Sequence, residues 1–296
     1  MHAAKFLIIS MRRTGGTLLG NLLDGHPDCR VFPFEHWHTR RKSIYDGRRH
    51  KLFPWMTAGM KVRHCGRKKM WRKKFVGAHG ATRWPEFYAD LLEQARSANS
   101  PGELYDRTAE IYFGRYHPSG PGPIVINHSA SLCTLPPEQL RDIFGEARYI
   151  MTVRDPRATF ASTERGIQKK AAAKGQPKPE FDPRRLEQFC DGWRWSAKTY
   201  YLEPNRAICL HFEDLVREPR KTMEQLANAM EIPFLETLLS PERLGDTISA
   251  NSSFTRTPGI DPLAADSWRE HLNPTWQQMI EDRLGDIMER VGYTLD

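Results

Sequence analysis

Apolar residues fall along this chain in short unbroken runs, separated by longer stretches in which they recur every three or four positions. Phe6-Leu-Ile-Ile9, Ile124-Val-Ile126, the run Arg148–Val153 and the run Ala207–Val216 have the length and density of buried strands. Between them the helical period predicts helices over about Thr17–Gly25, Trp84–Ala98, Glu103–Arg115 and Leu186–Tyr201. Gly25-His-Pro27, Asn99-Ser-Pro-Gly102 and Pro121-Gly-Pro123 punctuate these segments as turns. Asp155-Pro156 and Glu218-Pro219 read as helix starts, because proline costs nothing in a first turn whose N–H groups lack partners anyway. Lys169–Pro183, rich in Lys, Ala, Gly and Pro, reads as an exposed loop able to lid a site, and Asn251–Gly259 as a second polar loop.

Strands alternating with helices predict an α/β fold: three layers, a central parallel sheet between helices, and ligands at the carboxyl ends of the strands. Neither an internal repeat nor a low-complexity linker divides residues 1–296, so a single domain is expected, with a basic insertion at about 39–80. No apolar run approaches the roughly 20 residues of a membrane span, and five residues before the first strand are too few for a signal peptide.

The first strand leads into Ser10-Met-Arg-Arg-Thr-Gly-Gly-Thr17 and then a Leu-rich helix. This is an anion cradle in composition: Gly15 and Gly16 let backbone N–H groups approach an oxyanion, Thr14 and Thr17 add hydroxyls, Arg13 adds charge, and the helix adds its positive end. A Walker A loop is excluded, since no Gly-Lys pair occurs in the chain. Arg13-Thr-Gly-Gly-Thr17, with Leu-Leu behind it and the exit Asp24-Gly-His-Pro27, resembles the Arg/Lys-Ser/Thr-Gly-x-Thr loop of sulfotransferases. That loop holds the 5′-phosphosulfate of PAPS, 3′-phosphoadenosine 5′-phosphosulfate.

Val153-Arg-Asp-Pro-Arg157, with Ser162 eight residues beyond Arg154, is similar to the sulfotransferase segment whose Arg and Ser grip the 3′-phosphate. A dianionic phosphate suits a guanidinium fork and a hydroxyl. The resemblance therefore implies a P-loop-like fold, PAPS as co-substrate without a metal, and Arg13, Thr14, Gly15, Gly16, Thr17, Arg154 and Ser162 as its ligands. The polar loop stands where that family closes over the cofactor, adding Ser252, Ser253 and Arg256 as candidate phosphate contacts. Phe212-Glu-Asp-Leu215 with Thr222–Met230 behind it is similar to the family's Tyr-Glu-Asp-Leu and its following helix and is expected to be scaffold, and Pro274–Tyr293 resembles the family's C-terminal helix. A catalytic acid commonly follows the family's His-Pro exit; Glu35 fills that place as candidate base, with a structural ion pair as the other reading. Asn127-His-Ser129 stands where the family often has Lys-Thr; His128 is the alternative base, or a histidine satisfied by backbone. Arg13 is the catalytic cation. His36 and His38 lack a third ligand at metal-binding spacing.

Charge changes the picture in one place. Of a net +8, the segment Arg40–Lys74 holds +13, fourteen Lys and Arg against Asp46, which leaves −5 for the rest. Phe53, Trp55, Trp71 and Phe75 are interleaved with these cations. The segment is open to three readings: a solvated insertion, a surface for an anionic acceptor such as a glycan or for peripheral contact with an anionic membrane carrying a lipid acceptor, or a nucleic-acid surface. The last has no recognition motif, and no nucleic-acid partner is expected. Five cysteines with no Cys-x-x-Cys spacing argue against a disulfide framework and for a reducing, cytoplasmic setting. Two rivals stay open: a nucleotide-dependent phosphotransferase, which should show a Walker lysine, and a non-catalytic anion-binding module, which would need neither Glu35 nor His128.

Overall fold

The computed structural model describes residues 4–33, 52–65, 68–116, 122–127, 132–177, 180–203, 205–243, 246–247 and 259–295. In chain order these form β1 (Lys5–Ile8), α1 (Gly16–Asp24), β2 (Arg30–Phe32), α2 (Ala58–Cys65), α3 (Lys68–His79), α4 (Trp84–Ser97), α5 (Pro101–Ile111) and β3 (Ile124–Asn127). Then come α6 (Pro137–Phe144), β4 (Arg148–Val153), α7 (Pro156–Ala172), α8 (Pro183–Ser196), β5 (Ile208–His211), α9 (Phe212–Arg217), α10 (Pro219–Met230) and α11 (Pro274–Val291).

The main sheet is parallel throughout, in the order β2-β3-β1-β4-β5. Strand alternation explains the layers. Leu7 and Ile9 turn to one face, into a core with Phe32, Met151 and side chains of α3 to α6 such as Phe75, Phe87, Tyr105 and Leu140. Phe6 and Ile8 turn to the other, against Leu19, Leu22 and Leu23 of α1 and Met223 and Leu226 of α10. All four β1-run side chains have no exposed surface. Each fully buried one stabilises the fold by about 1.5–3 kcal/mol. A third core joins Val153 to Phe160 of α7, Trp193 of α8 and Ile280 and Leu284 of α11. The expected three-layer α/β/α arrangement is what the chain adopts.

The strand order fixes the site. After β1 the chain crosses β3 to reach β2; after β4 it leaves the opposite way, to β5. The carboxyl ends of the neighbouring strands β1 and β4 therefore flank the topological switch point, where parallel α/β sheets bind ligands.

Four readings of the sequence are corrected. β2 was not expected, because three residues inside an aromatic stretch carry no period. The last strand ends at His211, and Phe212–Arg217 is helical. The expected exposed loop begins inside α7, which runs to Ala172, and it ends anchored: Phe181 stacks on Trp276 at 4.4 Å and Asp182 caps α8. In the basic segment Phe53, Trp71 and Phe75 are buried core, not surface anchors; of these and Trp55, the last alone is solvent-facing, 86% exposed. Two of the cations are structural: buried Lys61 donates to the Ala98 carbonyl at 2.7 Å, and Lys74 to the Pro33 carbonyl at 2.8 Å.

Candidate active site

The loop leaving β1 is held from below by hydroxyls. The Thr152 backbone N–H and hydroxyl donate to Ser10 Oγ at 3.1 and 2.7 Å, tying the loop to β4. Thr14 Oγ1 donates to the Met11 carbonyl at 2.8 Å and lies 3.3 Å from Thr152 Oγ1. Thr14 therefore turns its hydroxyl inward, unlike the sequence expectation, and its backbone N–H is the donor left to the loop. Arg13 and Gly15 both adopt left-handed backbone, φ +70° and +97°, which curls the chain before α1 starts at Gly16. Half-buried Thr17 sits in the first turn of that helix.

Two sequence motifs meet over this curl. Arg13 Nε donates to Ser162 Oγ at 2.9 Å, and Arg154 Nη1 donates to the Arg13 carbonyl at 2.9 Å. Ser162 faces this loop from the second turn of α7, whose start is fixed by Pro156 and by Asp155 accepting from the Arg157 N–H at 2.8 Å. Arg154 is buried, and its Nη2 donates to the Ala264 carbonyl at 2.5 Å. Its guanidinium carbon lies 4.2 Å from the centre of the Phe212 ring. Of its five N–H donors, the one on Nε is buried with no partner among the described residues. Burial pushes the Arg154 pKa down to about 10; Glu213 opposes this and Arg13 adds to it. Arg13 is lowered too, by burial and then by Arg12. Two neighbouring guanidiniums gather positive charge here, which favours an incoming anion.

Phe212 also lines the loop from the other side. A Cβ at Gly15 would meet its ring at 2.5 Å, so the loop backbone packs flat on that ring. Glu213, one residue on, accepts from the Asp155 N–H at 3.1 Å. The segment expected to be scaffold thus lies directly against the grip. Sequence reasoning missed Phe212, Glu213 and Arg157, which bridges Asp155 and Glu281 at 2.8 and 2.7 Å while almost fully buried. An acid inside an otherwise apolar strand exit was the available signal for Glu213.

His26 of the His-Pro exit is structural: it takes the Asp28 N–H on Nδ1 at 3.1 Å and donates from Nε2 to the Pro233 carbonyl at 2.8 Å. The thiols of Cys29, Cys133, Cys190 and Cys209 are each pushed up to about 12 by burial, so none of these four is a nucleophile at neutral pH. Glu35, His128, Ser252, Ser253 and Arg256 lie outside the described residues.

Comparison with known proteins agrees with this fold. In structure the chain is similar to the sulfotransferase domain from the curacin biosynthetic pathway, with TM-score 0.64, 20% identity and 99% of each chain covered. It is similar to the sulfotransferase domain of the Synechococcus PCC 7002 olefin synthase, with TM-score 0.63, 22% identity, and 100% and 98% coverage of this chain and that one. A sulfotransferase from Mycobacterium avium matches at TM-score 0.52 and 15% identity, over 99% of this chain and 78% of that one. No curated protein matches the chain. Those identities speak to the fold alone. The family model described as "Sulfotransferase family" matches residues 5–236, most of the chain and both motifs, so the chain belongs to the sulfotransferase family.

Proposed function

We propose that the protein is a PAPS-dependent sulfotransferase that moves the sulfuryl group of PAPS to a hydroxyl or amine of an acceptor and releases PAP, 3′-phosphoadenosine 5′-phosphate. The observation that carries this reading is the meeting of Arg13, Arg154 and Ser162 at the switch point, since a nucleotide phosphorylated at two places needs two adjoining anion grips. The residues fit the nucleotide: Arg154 keeps an unpartnered Nε–H, and the loop at Gly15 has no room for a side chain but leaves its N–H groups. Bound there, PAPS would supply an activated sulfuryl group and a phosphate leaving group.

The chain's own residues divide the remaining work. The N–H groups around Gly15 and Gly16, with the positive end of α1, hold the 5′ end; Arg154 and Ser162 hold the 3′-phosphate; Ser252, Ser253 and Arg256 are further candidates on the sequence. Arg13 neutralises charge growing on the bridging oxygen, which is preorganised electrostatic stabilisation. Glu35 follows β2 by three residues and His128 follows β3 directly, and both strands end on the same edge of the parallel sheet as β1. Glu35 takes the acceptor's proton in this reading, with His128 as its alternative. The acceptor is an anionic glycan or a lipid at an anionic membrane surface, met by the basic segment in the cytoplasm.

Calorimetry with PAP, ADP and ATP on the wild type, Ser162→Ala and Arg154→Ala tests the nucleotide. PAP is expected to bind in preference to ATP, and both variants to lose about tenfold or more. Ser162→Ala is the cleaner variant, because Arg154 also ties together the Arg13 and Ala264 backbones. Preference for ATP, or indifference at both positions, would return the protein to the phosphotransferase reading. Glu35→Gln should then retain PAP binding while abolishing transfer; unchanged transfer would pass the base to His128.

A further inference from the structure

Behind the grip runs a chain of polar groups, half-buried at Tyr201, His211 and Tyr293 and buried at Glu213, that the reaction does not use directly. Tyr201 Oη lies 2.5 Å from His211 Nε2, His211 Nδ1 lies 3.1 Å from Tyr293 Oη, and Tyr293 Oη donates to Glu213 Oε2 at 3.1 Å. The proton order follows from the end that has only acceptors. Glu213 accepts, so the Tyr293 proton points to it and the Tyr293 oxygen takes the proton on His211 Nδ1. His211 Nε2 is then left to accept from Tyr201. Burial lowers the His211 pKa, in keeping with a neutral ring carrying one proton.

The other oxygen of Glu213 reaches the site. Glu213 Oε1 accepts the Asp155 N–H at 3.1 Å, while Trp193 Nε1 donates to the Arg154 carbonyl at 3.1 Å. These are the two polar atoms of one peptide group, the one joining Arg154 to Asp155. Held from both sides, that plane cannot turn without breaking a buried hydrogen bond, so the direction in which Arg154 leaves the backbone is fixed. Arg157 adds a second tie from the same turn to the tail, donating from Nη2 to the Thr294 carbonyl at 2.8 Å.

We propose that Glu213 and Tyr293 are positioning residues for Arg154, and that the chain's carboxyl-terminal residues thereby set its selectivity for a nucleotide bearing a 3′-phosphate. This rests on the assignment of Arg154 to that phosphate. Removing the Tyr293 hydroxyl leaves Glu213 Oε2 without its donor in a buried site, and frees the carboxylate to leave the Asp155 N–H.

Binding of PAP and of AMP, which lacks the 3′-phosphate, separates positioning from general loosening. Tyr293→Phe keeps the ring and loses the hydroxyl; it is expected to weaken PAP about tenfold and to leave AMP within about twofold. Glu213→Gln keeps an acceptor for the Asp155 N–H and is expected to hold PAP within about threefold, whereas Glu213→Leu should lose at least what Tyr293→Phe loses. Should Glu213→Leu fail to fold, the other two decide. Equal losses for both nucleotides in Tyr293→Phe, or no loss at all, would overturn the proposal and leave the chain a stabilising one. A wild type that fails to prefer PAP to AMP removes the nucleotide reading first, and this assignment with it.

Discussion

At position 15 a side chain has nowhere to go. The backbone there is left-handed, and the nearest atom to a built Cβ is a ring carbon of Phe212 at 2.5 Å. Phe212 is buried beneath Arg154, so it cannot swing away without losing that stacking. Gly15→Ala is therefore expected to cost about 1–3 kcal/mol of stability through backbone strain and crowding, and to weaken PAP binding by displacing the loop's N–H groups. Denaturant unfolding and calorimetry on the same variant check both parts; wild-type values in each would mean the loop is looser than it looks. Arg13 is the counterpart, a non-glycine at φ +70°. It stays there because its carbonyl and its side chain are both taken, by Arg154 and Ser162. At this scale the sequence was legible where chemistry and spacing coincide: Arg13, Gly15, Arg154 and Ser162 do come together. It was not legible for Thr14, because hydroxyls bind an anion and a neighbouring carbonyl equally well and only the fold chooses.

Elements were legible in proportion to their period. β4 carries a clear apolar run and has the expected bounds, while α11, expected from the family resemblance, has nearly its expected ones. β2 has three residues, and its identity comes from pairing with β3. The run Ala207–Val216 is apolar enough for a strand throughout, yet β5 passes directly into α9 at Phe212. That abrupt junction puts His211 at the strand's end and Glu213 in the helix's first turn. The junction has a pH signature. Above the ordinary histidine value of 6.5 the His211 ring is neutral in both folded and unfolded chains and contributes no slope. Below it the unfolded chain takes a proton that the buried ring refuses until lower pH, so stability falls as pH falls. Burial raises Glu213 above its ordinary 4.5, and its contribution has the opposite sign, being lost as pH rises. The two oppose each other, so the measurable quantity is a difference. Unfolding free energy from denaturant titrations between pH 7 and pH 5 should decline less steeply in His211→Gln than in the wild type, by at most about 1.4 kcal/mol per pH unit. Parallel curves would mean that His211 titrates alike folded and unfolded.

Over the whole molecule, charge and fold are laid out separately. The net +8 arises from one segment of +13, while the rest of the chain sums to −5. Within that segment composition misled in an instructive way: interleaved aromatics and cations look like an anchoring surface, but burial takes Phe53, Trp71 and Phe75 for the core and two lysines for backbone carbonyls. What faces solvent in the described part includes Trp55, Arg63, Arg72 and Lys73. If these cations draw in the acceptor, the attraction acts through water and is screened within a Debye length of about 8 Å at physiological salt. The proposed nucleotide grip is different, because Arg154 and Ser162 are buried and their contacts are screened much less. Raising salt from 50 to 300 mM should thus increase the acceptor KM several-fold while changing the PAP Kd by a smaller factor. Arg72→Ser with Lys73→Ser should flatten the acceptor's salt dependence and leave PAP binding unaltered, since neither residue touches the switch point. An acceptor KM indifferent to salt, or a double variant that keeps the wild-type slope, would remove the basic segment from acceptor recognition and leave its charge without a part in the reaction.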